Sequence, residues 1–485
     1  MNPRLASLLA LTLALRCHGS AHATVRLPAL VGDHLVLQRE APVPVWGWAA
    51  PGERVTVTFL GQRYTAKPAA GGRWQVSLPA QPAGGPYTLT VQGQNTLTVQ
   101  DVLVGDVWLA SGQSNMELPL RDPNAPKPGA YPLVRNAEQE VAEADYPQIR
   151  QFTVKKVVAA QPQAQGAGSG WQVCSPATAG SFAAVPYFFA RQLYQRYQVP
   201  IGLISSPWGG TPAEAWVSPE ALRQLPGFQA PAAPPKDPQN APSVLYNGMI
   251  APLLPVALKG IIWYQGESNV GRAAQYRTLF PALIRDWRQR LGQPELPFLF
   301  VQLANYLKPP QLPPAESAWA ELREAQAQAL ALPRTGMAVA IDLGESDDIH
   351  PADKQDVGYR LALVARQVAY ADGQVVASGP TFQGLSGAGQ GQVRVQFAHA
   401  GAGLQLRTGT TTLSGFAVAG ADGQFHWATG TLAGPGEVLL RCAAVPAPVA
   451  VRYDWADSPT GNLYGPTGLP AAPFRTDQGP LPTQP

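Results

Sequence analysis

Residues 102–116 have the sequence VLVGDVWLASGQSNM, an apolar run that leads into a polar cluster. The run lacks the alternating polar face of a half-exposed strand, which is typical of a strand in a parallel sheet covered on both sides by helices. Four later runs share this character, and helix-like stretches separate most of them. They are PIGLISS at 200–206, GIIWYQ at 260–265, PFLFVQL at 297–303 and GMAVAID at 336–342. We therefore predict an α/β domain with a parallel sheet over residues 103–374.

A cluster of polar residues follows each of these runs, at the point where the strand is predicted to end. The carboxyl ends of parallel strands share one edge of an open sheet, and ligands bind at that edge. Five polar clusters at one edge therefore indicate an active site. The clusters are Ser111–Met116, Trp208–Thr211, Gln265–Asn269, Ala304–Asn305 and Leu343–His350.

One serine and one histidine of these clusters suggest the chemistry. A serine hydroxyl is a weak nucleophile, and it needs a base within hydrogen-bond reach. Beyond residue 23, His350 is the one histidine that follows a strand of the predicted sheet. It can take the proton of Ser114 and later return it to a leaving alcohol. We therefore expect Ser114 to be the nucleophile and His350 to be the general base.

A carboxylate that accepts the second imidazole N–H would fix the tautomer of this histidine. Asp347 lies three residues before His350 on the same loop, and we predict that it has this role. Two alternatives remain open. Asp348 is adjacent to Asp347, and Glu267 belongs to another polar cluster at the same edge of the sheet.

Ester cleavage passes through a tetrahedral intermediate, which needs hydrogen-bond donors aimed at its negative oxygen. We expect two of these donors to be the backbone N–H groups of Ser114 and Gly210. The side-chain amide of Gln265 or Asn269 is the candidate for a third.

Four segments of the sequence resemble the sialate O-acetylesterase family of the SGNH hydrolases. They are GQSNM at 112–116, WGGTPAEAW at 208–216, WYQGESN at 263–269 and DDIHP at 347–351. The resemblance implies a flavodoxin-like sheet and a cofactor-free esterase that releases acetate from an O-acetylated sugar. It assigns nucleophile, base and acid to Ser114, His350 and Asp347. Because Asn115 and Met116 follow the serine, the motif differs from the GxSxG elbow of α/β-hydrolases, which argues against a lipase.

The class of sugar stays open at this point. A sialate carboxylate would favour a cation in the pocket, for which Arg272 and Arg323 are candidates. Relatives that act on acetylated xylan or other plant polysaccharides share the four segments. Gln113 and Trp208 are further candidate substrate contacts, with Trp208 as a platform for a sugar ring. A non-catalytic glycan-binding protein is the alternative from another class, and the presence of both Ser114 and His350 argues against it.

The residues on either side of the α/β domain have a different pattern. Over 24–102 and again over 375–475, short runs alternate apolar and polar residues, with Gly and Pro clusters between them. This pattern predicts two antiparallel β-sandwich domains that flank the α/β domain. Residues 121–170 and 218–243 are rich in Pro and Ala with weak periodicity, which indicates long loops or small excursions over the sheet. The polar, Pro-rich residues 476–485 are expected to form a disordered tail.

The first residues have the pattern of a secretory signal peptide. Arg4 precedes the apolar run Leu5–Leu15, and Ala21-His22-Ala23 offers small residues at the positions a signal peptidase recognises. We predict a signal peptide over residues 1–23, cleavage after Ala23, and a secreted or periplasmic protein. No later run has the roughly twenty apolar residues of a membrane anchor.

Charge and cysteine content narrow the range of partners. Lys and Arg number 35 against 32 Asp and Glu, and no basic run occurs, so we expect no nucleic-acid partner. Beyond the signal peptide the chain retains Cys174 and Cys442, which we expect to be separate buried thiols rather than a disulfide. No CxxC, HExxH or paired-His spacing is present, so we expect no metal site.

Overall fold

The computed structural model describes residues 24–121, 134–229, 233–313, 316–479 and 481–483, so the predicted signal peptide lies outside the described residues. Six short strands come first. They are β1 (Val36–Gln38), β2 (Val43–Trp48), β3 (Val55–Phe59), β4 (Gln62–Ala66), β5 (Arg73–Leu78) and β6 (Gly84–Gln92). In β5 exposed residues alternate with the buried Trp74, Val76 and Leu78, because successive side chains of a strand point to opposite faces.

Strand β7 (Thr96–Gly112) connects this region to the centre of the molecule. Its first half pairs antiparallel with β6, and its second half lies at the middle of the large central sheet. Every residue from Val102 to Gly112 is buried, as expected for a strand with layers on both faces. The domain boundary predicted after residue 102 falls inside this strand.

The central sheet is mixed, with a parallel core, and this confirms the α/β class. Its further strands are β8 (Tyr146–Val154), β9 (Gly168–Cys174), β10 (Ile201–Pro207), β11 (Gly260–Tyr264), β12 (Phe298–Gln302) and β13 (Thr335–Val339). The spatial order is β13-β12-β11-β7-β10-β8-β9, in which β9 alone is antiparallel to its neighbour. Leaving aside the β8–β9 hairpin, the order is the 2-1-3-4-5 of a doubly wound sheet.

The β8–β9 hairpin lies within residues 121–170, for which the sequence predicts long loops or small excursions over the sheet, and it adds two strands to the sheet itself. The pattern of β8 is obscured because two polar residues in it are buried. Arg150 donates to the carboxylate of Asp101, and the Gln151 side chain accepts the Ala183 N–H. Hydrogen bonds therefore offset the cost of burying residues that, in the sequence, are typical of a loop.

Over the described ranges, seven α-helices surround this sheet. They are α1 (Ser114–Glu117), α2 (Ala137–Ala142), α3 (Ala184–Tyr197), α4 (Pro219–Gln224), α5 (Ala273–Leu291), α6 (Ala318–Gln328) and α7 (Lys354–Val368). Trp108 of β7 packs on Phe189 of α3, whereas Trp263 of β11 packs on Phe280 of α5. These two tryptophans point to opposite faces of the sheet, given the strand register. Helices α3 and α7 therefore cover one face, and α5 and α6 cover the other.

The remainder of the chain is antiparallel. Its strands are β14 (Thr381–Gly389), β15 (Gln392–Ala398), β16 (Gln405–Leu406), β17 (Phe416–Ala419), β18 (Phe425–Trp427), β19 (Thr429–Gly434), β20 (Glu437–Arg441), β21 (Ala450–Tyr453), β22 (Leu463–Tyr464) and β23 (Phe474–Arg475). They form the four-stranded sheets β14-β15-β20-β19 and β18-β17-β21-β23, and a small β16-β22 pair. Val395 and Val438 of one sheet share a hydrophobic core with Phe416 and Val451 of the other.

Described residues of the predicted tail contact other parts of the fold. Asp477 forms ion pairs with Arg452 and Arg475, and the Thr483 hydroxyl accepts the Ala274 N–H from helix α5. The tail that we expected to be disordered from residue 476 therefore has ordered contacts at these residues. Cys174 and Cys442 are both free, with Cys174 buried and Cys442 partly exposed.

Candidate active site

Strands β7, β10 and β11 end side by side, and this brings three of the predicted clusters together. The Gln113 N–H donates to the Tyr264 carbonyl at 2.9 Å, and the Trp208 N–H donates to the Gly112 carbonyl at 3.0 Å. Gly112 has φ +133°, and a Cβ on it would lie 2.2 Å from the Tyr264 carbonyl oxygen. Glycine is thus required where β7 turns into helix α1, whose first residue is Ser114.

The loop before helix α7 carries His350 to this turn. The His350 Nε2 atom lies 2.9 Å from the Ser114 hydroxyl oxygen, and both residues are half-buried. The two residues are 236 positions apart in sequence, so the sheet topology is what brings them together. The structure thus joins the two residues that the sequence singled out as nucleophile and base.

The carboxylate beside the imidazole is that of Asp348. Its Oδ1 atom lies 3.2 Å from His350 Nδ1 and also accepts the His350 backbone N–H at 2.8 Å. This second bond is a local turn of the kind that Asp favours, and it places the side chain against the ring two residues later. Asp347 is exposed. The position of Asp348 therefore corrects the prediction that Asp347 is the residue beside the ring.

The surroundings keep the imidazole neutral. Burial lowers the pKa of His350, and the neighbouring Lys354 ammonium lowers it further, while Asp348 opposes both effects. A neutral imidazole that donates Nδ1–H to a carboxylate presents the Nε2 lone pair to its other neighbour. Here that neighbour is the Ser114 hydroxyl, as proton transfer from serine requires.

Glu267, the other alternative for the acid, lies beneath the site and bonds to Asn115. The Asn115 Nδ2 atom donates to Glu267 Oε1 at 2.6 Å, and Lys354 Nζ donates to Asn115 Oδ1. Burial raises the pKa of Glu267 and lowers the pKa of Lys354 to about 7. Sequence reasoning missed Lys354, because lysine is almost never fully buried and nothing in its neighbourhood predicts burial.

The two side-chain amides predicted to donate to the oxyanion form hydrogen bonds with other groups. Asn269 Oδ1 accepts the Ala213 N–H and a Gln265 amide hydrogen, while Asn269 Nδ2 donates to Glu214. Gln265 is fully buried, and its oxygen accepts from the Tyr276 hydroxyl. Both amides therefore hold the loops together instead of facing Ser114, which corrects this part of the prediction.

Backbone donors remain beside the nucleophile. Among the described residues, the N–H groups of Ser114 and Gly210 have no hydrogen-bond acceptor. Gly209 lies against Ser114, since a Cβ on it would be 3.2 Å from the serine Cβ, and its N–H donates to Glu117 at 2.6 Å. Gly210 is exposed and has φ +75°, with open space where a Cβ would be.

The residues predicted to contact the substrate differ in their burial. Gln113 is buried, and its side-chain oxygen accepts the N–H groups of Gly266 and Ser268, so it joins two loops. Trp208 is partly buried, with the Lys156 ammonium 5.3 Å from its ring centroid. Arg323 is fully buried and donates to backbone carbonyls, which excludes it as a substrate cation.

A groove of about 460 Å³ begins at Gly210 and runs past Arg272. Arg272 forms an ion pair with the buried Glu214 at 2.6 Å. The groove is lined by Gly210, Pro212, Glu214, Phe228, Gln229, Pro235, Asn240, Ser268, Arg272 and Gln275.

In the described part of the chain, no three His, Cys, Asp or Glu side chains are grouped to hold a metal ion. No helix among the described residues is long and apolar enough to cross a membrane.

Known proteins similar to this chain are carbohydrate esterases. The family described as "Carbohydrate esterase, sialic acid-specific acetylesterase" matches residues 104–366. Human sialate O-acetylesterase is 36% identical over 413 residues, covering 77% of this chain and 76% of the human protein. The rat sialate O-acetylesterase is 35% identical, covering 78% and 80%. A crystal structure of a carbohydrate acetylesterase from Xanthomonas citri has 46% identity and a TM-score of 0.85, covering 94% of this chain and 100% of that one. The family resemblance inferred from the four segments is thus confirmed, and the chain belongs to the sialic acid-specific acetylesterase family of carbohydrate esterases.

Proposed function

We propose that this protein is a serine esterase that removes acetyl groups from an O-acetylated sugar, with Ser114, His350 and Asp348 as its catalytic triad. The single observation that carries the proposal is the 2.9 Å contact between Ser114 Oγ and His350 Nε2 at the carboxyl edge of the sheet. A half-buried serine next to a neutral imidazole has the geometry of an activated nucleophile.

In the first half-reaction, Ser114 Oγ attacks the acetyl carbonyl carbon while His350 Nε2 takes the hydroxyl proton. The carbonyl oxygen becomes an oxyanion, for which the Ser114 and Gly210 N–H groups are the available donors. Asp348 stabilises the imidazolium that forms. The tetrahedral intermediate then collapses, the ester C–O bond breaks, and the imidazolium gives its proton to the departing sugar oxygen.

In the second half-reaction, water takes the place of the sugar. His350 removes a proton from the water as its oxygen attacks the acetyl-serine carbonyl. The second tetrahedral intermediate releases acetate, and Ser114 recovers its proton from the imidazolium. The cycle consumes one ester and one water and yields one alcohol and one acetic acid, so these residues suffice without a redox step.

Acetate release tests the proposal. Wild type and Ser114→Ala are compared on an O-acetylated sugar, with folding checked by circular dichroism. Loss of a triad serine costs on the order of 10⁶-fold in kcat. A folded Ser114→Ala protein that retains a tenth of the wild-type rate would refute the assignment.

For the sugar, we infer O-acetylated sialic acid first, because the relatives described above are named for it. One observation favours a neutral acetylated polysaccharide such as acetylxylan as the second candidate. Two cations beside the site are already paired. Arg272, which lines the groove, pairs with Glu214, and Lys156, which lies over Trp208, pairs with Glu117. A sialate carboxylate would have to compete with these carboxylates, whereas a neutral sugar would not.

The two substrates can be separated with one variant. Acetate release is measured on O-acetylated sialic acid and on acetylated xylo-oligosaccharides, for wild type and Arg272→Met. If sialate is the substrate and binds Arg272, the variant raises KM for the sialic acid alone. If the xylo-oligosaccharides are cleaved faster and Arg272→Met changes neither KM, the neutral candidate replaces sialate.

We further infer export and an SGNH-type α/β domain between two β-sandwich domains, at 24–102 and 375–475. Residues 1–23 support export, and the 2-1-3-4-5 strand order supports the α/β assignment. N-terminal sequencing of protein from the periplasm or medium should give a sequence that starts at Thr24, and a retained Met1 there would contradict export.

Limited proteolysis near residue 375 should release a stable C-terminal fragment, and equally fast cleavage throughout 381–475 would contradict the domain assignment.

A further inference from the structure

Beneath the Ser114–His350 pair lies a polar cluster that does not touch the reacting atoms. We name Asn115, Glu267 and Lys354 the buried polar cluster. Asn115 and Lys354 are each 1% exposed, and the Glu267 Oε2 atom is buried without a hydrogen-bond partner among the described residues. Burial of such groups costs stability, so their presence directly below the site suggests a role in catalysis.

The cluster fixes the orientation of one amide. The Ile349 carbonyl oxygen can only accept a hydrogen bond, so the Asn115 atom that faces it must be the nitrogen, and the Asn115 oxygen faces Lys354 Nζ. The Asn115 Nδ2 atom then faces two acceptors, Glu267 Oε1 at 2.6 Å and the Ile349 carbonyl oxygen at 3.1 Å. A flipped amide would place its oxygen against the Ile349 carbonyl oxygen, so this orientation is strongly favoured.

The amide joins the two halves of the site. Asn115 directly follows the nucleophile Ser114, and Ile349 directly precedes the base His350. The bond from Asn115 Nδ2 to the Ile349 carbonyl therefore ties the loop that carries the base to the turn that carries the nucleophile. Catalytic groups need to be held within about 0.5 Å of their productive geometry.

We propose that Glu267 and Lys354 are positioning residues, which act through Asn115 to hold His350 at hydrogen-bond distance from Ser114. The inference rests on the proposed roles of Ser114 and His350. It gives Glu267 a task different from that of a triad acid. As a positioning residue Glu267 needs only an acceptor oxygen, whereas a triad acid needs a negative charge on the imidazole side.

This difference determines which variants test the proposal. Glu267→Gln retains an oxygen that can accept from Asn115 Nδ2, and Glu267→Met removes it. Lys354→Met removes the donor that fixes the other side of the amide. Asp286→Asn is the matched control, because Asp286 is also a buried carboxylate, bonded to Ser218 in the same α/β region but outside the site.

The measurement is kcat and KM for p-nitrophenyl acetate, with folding checked by circular dichroism and thermal unfolding. A misplacement of about 1 Å costs roughly a hundredfold in rate, so we expect about that loss of kcat in Glu267→Met and Lys354→Met, with KM nearly unchanged. Glu267→Gln should recover most of kcat. Asp286→Asn should retain wild-type kcat, even if its melting temperature falls.

Several outcomes would overturn the inference. A folded Glu267→Met or Lys354→Met enzyme with wild-type kcat would do so, as would Glu267→Gln with activity as low as Ser114→Ala. If Glu267→Met does not fold, Lys354→Met and Asn115→Ser decide the question by the same measurement. Failure of the proposed function is distinguishable, because Ser114→Ala would then be active, whereas failure of this inference alone leaves Ser114→Ala inactive.

Discussion

At the scale of single residues, the contact between Ser114 and His350 could be predicted from the sequence, but the carboxylate beside the imidazole could not. Ser114 and His350 follow apolar strands, so the sheet topology fixes their approximate positions. The choice between Asp347 and Asp348 depends on which carboxylate folds back on the next backbone N–H groups. The hydrogen bond from the His350 N–H to Asp348 places the Asp348 carboxylate, and not that of Asp347, beside the ring. That bond is a property of the folded loop.

Substitution of the two aspartates separates their roles. We predict that Asp348→Asn loses between about a hundredfold and 10⁴-fold in kcat, because an amide cannot stabilise the imidazolium or select its tautomer. The exposed Asp347 is the matched control, and Asp347→Asn should lose less than about tenfold, since it removes no contact to the ring. The measurement is kcat for acetate release, and a crippled Asp347→Asn beside an active Asp348→Asn would reverse the assignment.

The pH dependence of activity follows from the surroundings of His350. The base works as a neutral imidazole, and burial and Lys354 lower its pKa while Asp348 raises it. Protonation therefore stops catalysis only at acidic pH, and we expect the acidic limb of kcat/KM to have its midpoint below the ordinary value of about 6.5. Lys354→Met removes a positive charge, so the midpoint of its residual activity should shift to higher pH. An unchanged or lower midpoint would contradict this electrostatic account.

At the scale of elements, strands with an apolar pattern were predictable and β8 was not. The buried runs of β7, β10, β11, β12 and β13 have few polar residues, and each was expected from the sequence. Strand β8 contains Arg150 and Gln151, whose burial depends on partners in other parts of the chain. Sequence periodicity does not reveal such partners, so the sequence predicts no strand at β8.

The junction of β7 and α1 is the element that positions the nucleophile. We predict that Gly112→Ala lowers the free energy of unfolding by roughly 1–3 kcal/mol from backbone strain, and by more if the new methyl group displaces the Tyr264 carbonyl. Gly271→Ala is the control, because a Cβ there meets nothing within 4 Å. Urea unfolding measures both. Equal stability of the two variants would show that the close approach at Gly112 is not structurally required.

At the scale of the whole molecule, the order of α/β and β-rich regions was predictable, while the contacts between them were not. Arg323 of helix α6 was a candidate for the substrate cation, yet it donates to the carbonyl oxygens of Ala456 and Asp457, near the C-terminal sheets. It also donates to those of Leu303 and Ala304 after β12. Long-range contacts of this kind follow from the packed arrangement, which local sequence does not encode.

The Arg323 contacts predict a large effect on stability. Arg323→Met removes a donor from four carbonyl groups, and those of Leu303 and Ala456 then have no other donor among the described residues. An unsatisfied buried polar group costs about 1–3 kcal/mol. Arg223→Met is the control, since Arg223 is exposed and pairs with Glu220 at the surface, where an ion pair contributes about 0–1 kcal/mol. Thermal unfolding of both variants is the measurement. Equal melting temperatures would contradict a connecting role for Arg323.

The central claim is that Ser114 is a nucleophile activated by His350, and covalent labelling tests it most directly. A fluorophosphonate forms a P–O bond with an activated serine oxygen as fluoride leaves, and peptide mapping by mass spectrometry identifies the labelled residue. We predict one label per chain, on Ser114, in proportion to the loss of acetate release, and much slower labelling in Asp348→Asn. Complete inactivation with the label on another residue, or full activity with Ser114 labelled, would contradict the account.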